Sequence, residues 1–324
     1  MTNNWSELSI KNKQIGDFTT GDKIAGFFLL RSVESKSTSK NTKYLDLLVS
    51  DKTGEINAKL WDADGIEDQD FQSNSIIYLS GLVKEWKGNK QLNIDSMRPT
   101  TDLDGQQISD FIVSAPNSTA TMFTDLKGYI GKIKDEDIRN ITTVIVEKYK
   151  EKILYYPAAQ KNHHAIQGGW LYHVVTMLQL GEKVAQVYTF LNTDLLYGGI
   201  ILHDIAKLDE MEANELGIVT DYTTEGQLLG HLVQGIKLVD KVAETVQADP
   251  ETSLLLQHMI ASHHYKGEWG SPKSPMIPEA EILHFLDIMD AHVYDMHKAI
   301  KSTKEGAFSE KVWTLGRKVY RKKK

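Results

Sequence analysis

The run ILHDIAKLDE at 201–210 sets His203 and Asp204 side by side between apolar residues. Burying two adjacent polar groups is costly unless something in the interior needs both. The pattern recurs along the chain. His173 interrupts GGWLYHVVTML, His231 interrupts GQLLGHLVQGIKLV, and His263 and His264 close LLLQHMIASHH. Asp287 and Asp290 lie three apart in ILHFLDIMDA, hence on one helical face. The intervals are 30 (173 to 203), 28 (203 to 231), 32 (231 to 263) and 24 (263 to 287). Each allows a helix and a return loop, so successive helices can aim one group apiece at a common centre. Imidazole with carboxylate suits a transition divalent ion such as Mn, Fe, Co, Ni or Zn, whereas magnesium alone prefers oxygen. Gly199 and Ala206, one turn either side of His203, leave room for an ion and a substrate. Lys207 is four residues from His203 and three from Asp204, so it can pair with Asp204 or hold a phosphate oxygen.

The elements that must carry these groups follow from periodicity. Apolar spacing predicts helices near 119–132, 135–152, 169–190, 194–209, 225–246, 250–264, 278–302 and 308–320. All 11 histidines lie between His163 and His297, inside this α-helical part. The first hundred residues read instead as five short alternating strands: 22–32, 43–50, 55–61, 75–86 and 91–97, with turn signals at DKTG and KGNK. Five such strands suit a small closed barrel of the OB-fold type. Such barrels bind single strands by stacking bases on aromatics and tracking phosphates with basic loops. Trp61, Tyr78 and Trp86 can supply faces. Lys36, Lys40 and Lys43 sit in the stretch 32–43, where the first hairpin loop of such a barrel falls. The expected division is a barrel over 1–98, a connector rich in turn residues over 99–118, and a helical domain over 119–324.

Composition bounds the function. The chain has no cysteine, which excludes disulfides, thiolate metal sites and a cysteine nucleophile. Its net charge of −7 means that nucleic-acid binding must come from local patches rather than a global field. The terminal RKVYRKKK is one such patch, either a solvated tail or a phosphate contact. No apolar run approaches the ~20 residues of a membrane helix, and the polar N-terminus lacks a signal-peptide pattern. A cytoplasmic protein without membrane contact is expected.

Taken in order, His173, His203-Asp204 and Asp287 resemble the metal-binding signature of the HD-domain phosphohydrolase superfamily. That resemblance implies one divalent ion on those four residues. His231 and His263 (or His264) would bind a second ion or polarise the phosphate. It favours Asp287 over Asp290 as the last ligand, with the reverse still open. A barrel followed by this domain is similar to the YhaM family of bacterial 3′-to-5′ exoribonucleases. NHHAIQGGWLYH (162–173), HDIAKLDE (203–210) and ASHHYKGEWGSP (261–272) look like its motifs, and the likeness spans nearly the whole chain.

The resemblance implies a multidomain protein: an all-β OB-fold barrel followed by an all-α HD-domain helical bundle. Its expected activity is metal-dependent 3′-to-5′ hydrolysis of single-stranded RNA, with single-stranded DNA as a further substrate, to nucleoside 5′-monophosphates. Mn2+ is the favoured ion, Co2+ or another transition ion the alternative, and one or two ions can be held. Asp204, Lys207, His231 and His263 are the expected catalytic groups. His163, His164 and Lys266 would touch the strand, along with the barrel residues. Homo-oligomers are expected. Two rival readings stand: a phosphohydrolase of nucleotides or cyclic dinucleotides, and a non-catalytic single-strand-binding protein with a vestigial site.

Overall fold

Alternation of side chains across a pleated strand explains the first unit. In β1 (Lys23–Ser37), β2 (Lys43–Asp51), β3 (Gly54–Leu60), β4 (Ser75–Trp86) and β5 (Asn89–Pro99), every second residue turns inward. Leu45, Leu47 and Val49 of β2 and Ile56, Ala58 and Leu60 of β3 meet Phe28, Leu79 and Leu92 in one core. The strands close into a barrel in the order β1-β2-β3-β5-β4, antiparallel except for the parallel β3–β5 pair. A bulge between Leu30 and Ser32 bends β1, which pairs with β4 along its first half and β2 along its second. Lys87 and Gly88, both at positive φ, make the tight two-residue turn between β4 and β5. Gly81 is required where β4 crosses β5, because a Cβ there would lie 2.3 Å from the Asn93 carbonyl oxygen.

The computed structural model describes residues 13–39, 41–66, 68–160 and 163–323. Lys40, expected to contact nucleic acid, lies outside the described residues, as do Asn162 and Lys324. By contacts the chain divides into Met1–Val113 and Ser114–Lys324. Strand β1 runs on to Ser37, so the first hairpin loop is shorter than the expected 32–43, and Lys36 stands on a strand.

The second unit is helical: α1 (Thr119–Lys132), α2 (Glu136–Ile153), α3 (Gly169–Val187), α4 (Thr193–Leu202), α5 (Lys207–Glu210), α6 (Thr224–Val246), α7 (Pro250–Ser262) and α8 (Pro278–Lys301). Side-chain caps fix several starts: Asp135 to Ile138 N, Thr223 to Gly226 N, and Asp249 to Glu251 N and Thr252 N. Buried Trp170, Leu171, Val174, Ile200, Ile201, Leu256, Met259, Leu283 and Leu286 form the core between the helices. No helix among the described residues is long and apolar enough to cross a membrane.

Two helix expectations are corrected. The helix expected over 194–209 ends at Leu202, and tight i→i−3 bonds (Ile205 N to Leu202 O, Lys207 N to Asp204 O) carry the chain through His203–Ala206 before α5 begins. A hairpin of β6 (Met211–Ala213) and β7 (Val219–Tyr222) then follows. The helix expected over 308–320 does not form. Bridges Phe308–Tyr320 and Val312–Arg317 fold this stretch back on itself, with Gly316 at positive φ in the turn. Arg321 of the basic C-terminus caps α8, donating to the carbonyls of Thr303 (2.8 Å) and Ile300 (3.3 Å).

Candidate metal centre

The break after α4 answers how His203 and Asp204 are both interior. Trp170 Nε1, on α3, donates to the Asp204 carbonyl (3.1 Å) and pins the tightened turn. His203 is at the C-cap of α4, His173 on α3, His231 on α6, His263 at the C-cap of α7 and Asp287 on α8. Five elements thus contribute, and His173, His203, Asp204 and His263 are almost wholly buried.

A single rule orients the imidazoles. Each has Nδ1 engaged by an acceptor: His203 by Ile200 O (2.8 Å), His263 by Ile260 O (2.8 Å), His173 by Asp290 Oδ2 (2.6 Å) and His231 by Glu210 Oε2 (3.1 Å). With Nδ1 donating, the Nε2 of each ring that is neutral is a lone-pair acceptor. All four Nε2 atoms, with Asp204 Oδ1, are buried and have no hydrogen-bond partner among the described residues. His173 Nε2 lies 3.3 Å from Asp287 Oδ1, and His203 Nε2 lies 3.3 Å from Asp204 Oδ2. Asp204 Oδ1 lies 3.4 Å from His231 Nε2 and 3.5 Å from His263 Nε2. Orphaned acceptors facing one another are unfavourable without a cation, so the donor set fits a divalent ion.

Ligand atoms within 4.8 Å of one another fall into overlapping sets: His173, His203 and Asp204; His203, His263 and Asp287; and Asp204, His231, His263 and His264. Asp204 belongs to the first and the last. His264, whose Nδ1 lies 2.7 Å from Trp269 O, ties the loop after α7 to the last of these sets.

Charge is arranged to suit. Burial alone would raise Asp204, but the Lys207 ammonium (Nζ 2.7 Å from Oδ2) and His203 hold it well below the usual carboxylate range. Burial likewise opposes ionisation of Asp287, which His173 nonetheless keeps far below its ordinary value. Burial pushes His263 down, and His264 to about 3, so both are neutral and able to ligate. His173 is the exception. Despite burial, Asp287 and Asp290 raise it to about 9.

The other expected residues take varied places. His164 is 1% exposed at positive φ, its Nε2 2.7 Å from Asp290 Oδ2 and its ring on Tyr294. This corrects its expected contact with the strand: it is buried against Asp290. His163 is half-buried, 5.8 Å from the His173 ring, and burial lowers it to about 4. Lys266 is exposed with its Nζ over Trp269. In the barrel, Trp61 is 42% exposed and stacks on Tyr44 at 4.8 Å, with Lys59 over both rings. Trp86 is exposed where β4 ends, and Lys43 begins β2. Lys36 pairs with Asp46 (2.8 Å) and Glu34 (2.9 Å), which leaves it less free for phosphate than expected. Glu210, which orients His231, was not foreseen. Its only sequence signal is a carboxylate seven residues beyond His203.

The family model described as HD domain matches residues 170–292, and that described as OB-fold nucleic acid binding domain matches residues 30–100. Barrel and centre therefore define a class: an OB-fold joined to an HD-type hydrolase domain that binds a divalent metal. Curated relatives named 3′-5′ exoribonuclease YhaM match over almost their whole length. The one from Listeria monocytogenes is 40% identical over 303 residues, 94% of this chain and 96% of its own. That from Halalkalibacterium halodurans is 40% identical over 305 residues, 94% of each chain, and that from Shouchella clausii 39% identical over 310 residues, 96% of each. The chain belongs to the YhaM family of 3′-5′ exoribonucleases.

Proposed function

We propose that this chain is a metal-dependent 3′-to-5′ exoribonuclease that shortens single-stranded RNA and releases nucleoside 5′-monophosphates. The observation that carries the reading is the convergence of five buried ligand-type atoms, on His173, His203, Asp204, His231 and His263, with no hydrogen-bond partner among the described residues. His173, His203 and Asp204 would hold one ion with Asp287, whose Oδ1 lies 3.3 Å from His173 Nε2, and Asp204 with His231, His263 and His264 a second. The imidazole-rich set supports Mn2+, with Co2+ or another transition ion as the alternative.

When bound, the ion makes water a competent nucleophile near neutral pH and offsets charge on the phosphoryl group. The chain's own groups do the rest. Asp204 accepts the proton of the attacking water. Lys207 keeps N–H groups beyond its bond to Asp204 and donates to a non-bridging phosphoryl oxygen, where charge grows in the transition state. Glu210 fixes His231 so that Nε2 faces the same centre. The water oxygen bonds to phosphorus as the P–O3′ bond breaks, the terminal nucleotide leaves with its 5′-phosphate, and the O3′ of the shortened strand takes up the proton held by Asp204 to become a 3′-hydroxyl.

The barrel supports the polymer part of the reading: Tyr44, Trp61 and Lys59 form a face on which bases stack without regard to a 2′-hydroxyl. The reading therefore extends to single-stranded DNA. Cellular RNA as substrate would place the reaction in the cytoplasm. The exposed apolar stripe Phe285, Met289 and Val293 on α8 supports self-association, which sedimentation would test. The experiment for the main reading is digestion of 5′-labelled single-stranded RNA. A ladder of shortened products that vanishes with chelator and with Asp204→Ala is expected. Inert RNA with rapid turnover of a free nucleotide would overturn the reading.

A further inference from the structure

Beyond the metal centre the helical unit holds a large cavity of about 930 Å3, and Lys207 and His231 are among its lining residues. That volume lies at the upper end of the roughly 300–1,000 Å3 typical of ligand pockets, room for more than one nucleotide. Part of its wall is the segment that follows α8, which includes Lys311, Trp313 and Thr314. This segment is held in place. Thr314 Oγ1 donates to Asp295 on α8, Arg321 caps the end of α8, and Val312 N donates to Arg317 O (2.9 Å) across the turn. Trp313 sits in that fixed turn with 82% of its surface exposed. Lys298 of α8 and Lys311 also line the cavity, and neither is ion-paired among the described residues. Tyr222 adds a second aromatic to the lining, from β7.

A large aromatic surface left in water on an anchored turn is informative where a scattered exposed apolar residue is not. Here it borders a cavity that reaches a phosphodiester-cleaving centre, and it is accompanied by unpaired cations. We propose that the C-terminal segment is the outer wall of the substrate channel, that Trp313 stacks on a base near the 3′ end, and that Lys298 and Lys311 take the flanking phosphates. The inference rests on the exonuclease reading and adds to it a residue that sets how the strand is gripped, which the helical core alone does not supply.

The test uses full-length protein with Mn2+ and an unstructured RNA. Trp313→Ala should raise KM about tenfold, with a smaller change in kcat, since base stacking on an aromatic side chain is worth that order. Trp313→Phe should restore most of the loss, because a smaller aromatic still stacks. In a series of RNAs each bearing one abasic residue among the last few positions, one position should reduce wild type to the level of Trp313→Ala and leave the variant unaffected. Equal KM for wild type and Trp313→Ala on an RNA that both degrade would overturn this inference alone. So would a Phe variant as impaired as the Ala variant, or abasic effects that are the same in both proteins. Wild type inert on RNA would overturn the exonuclease reading and this proposal with it.

Discussion

Asp290 Oδ2 lies 2.6 Å from His173 Nδ1 and so fixes the ring whose Nε2 faces Asp287. His164 Nε2 shares the same oxygen at 2.7 Å. In the proposed centre Asp290 would orient a ligand, while Asp287 would be one. The two carboxylates are three residues apart on α8 and have different work. Removal of a partner behind a metal-bound histidine typically costs about 10–100-fold in metal affinity. Asp290→Asn should therefore weaken Mn2+ binding within that range, measured by calorimetric titration, and leave RNA hydrolysis recoverable at high Mn2+. Asp287→Asn should not be rescued. The opposite ranking would exchange their roles.

The proton held by His173 gives a pH dependence. Burial opposes its charge, yet Asp287 and Asp290 raise its pKa from 6.5 to about 9 in the metal-free fold. A folded-state value above the unfolded one means that this group's stabilisation is fully present below 6.5 and lost as pH rises through about 9. Chelator-treated protein should therefore lose thermal stability over that window, less steeply in Asp290→Asn. Metal binding must also displace the proton, so Mn2+ uptake at pH 7.5 should release about one proton, read from the dependence of binding heat on buffer ionisation enthalpy. No proton release would mean that His173 is already neutral.

The candidate ligands were legible because each interrupts an apolar helix, where an unsatisfied imidazole would be costly. Their convergence required only that successive helices fold back. Other features depended on tertiary context. The tightened turn at His203–Ala206 is pinned by Trp170 from α3, 34 residues upstream of Asp204. The stretch 308–320 carries Val312, Leu315 and Val319 at helix-like spacing, but the positive φ of Gly316 and the bridges to either side prevail over periodicity. The strands were legible from alternation alone, whereas the extension of β1 through a polar stretch to Ser37 depends on its pairing with β2 as far as Lys43.

Glu210 was invisible for a similar reason: it meets His231 across 21 residues and a hairpin. Its Oε1 accepts from His231 N at 3.1 Å, and the ring Nδ1 lies 3.1 Å from Oε2. The contact depends on Gly230, whose φ of 69° and ψ of 162° break the helical path of α6 just before His231. That backbone region is essentially confined to glycine, and a side chain there costs about 1–3 kcal/mol. Gly230→Ala should lower the melting temperature and activity together. Glu210→Gln, which keeps the size but weakens the hold on Nδ1, should reduce kcat about tenfold with little change in melting temperature. Full activity in Glu210→Gln would remove His231 from the catalytic set.

The barrel makes a separable prediction. Trp61 is partly exposed and stacked on Tyr44, and Lys59 Nζ lies 4.7 Å from the Tyr44 ring centre. An aromatic pair with a cation above it can take a base on its open side, a contact worth about 1–3 kcal/mol per base. Trp61→Ala should weaken binding of single-stranded RNA by that amount at fixed salt, measured by fluorescence anisotropy in an Asp204→Ala background that prevents digestion. Lys36 is held closely by Asp46 (2.8 Å) and Glu34 (2.9 Å), whereas Lys59 reaches Asp46 only at 3.7 Å, so Lys36→Ala should change both affinity and its salt slope less than Lys59→Ala does. If Trp61→Ala binds as wild type does while Lys36→Ala abolishes binding, the strand tracks the loop side of the barrel, not the Tyr44–Trp61 face.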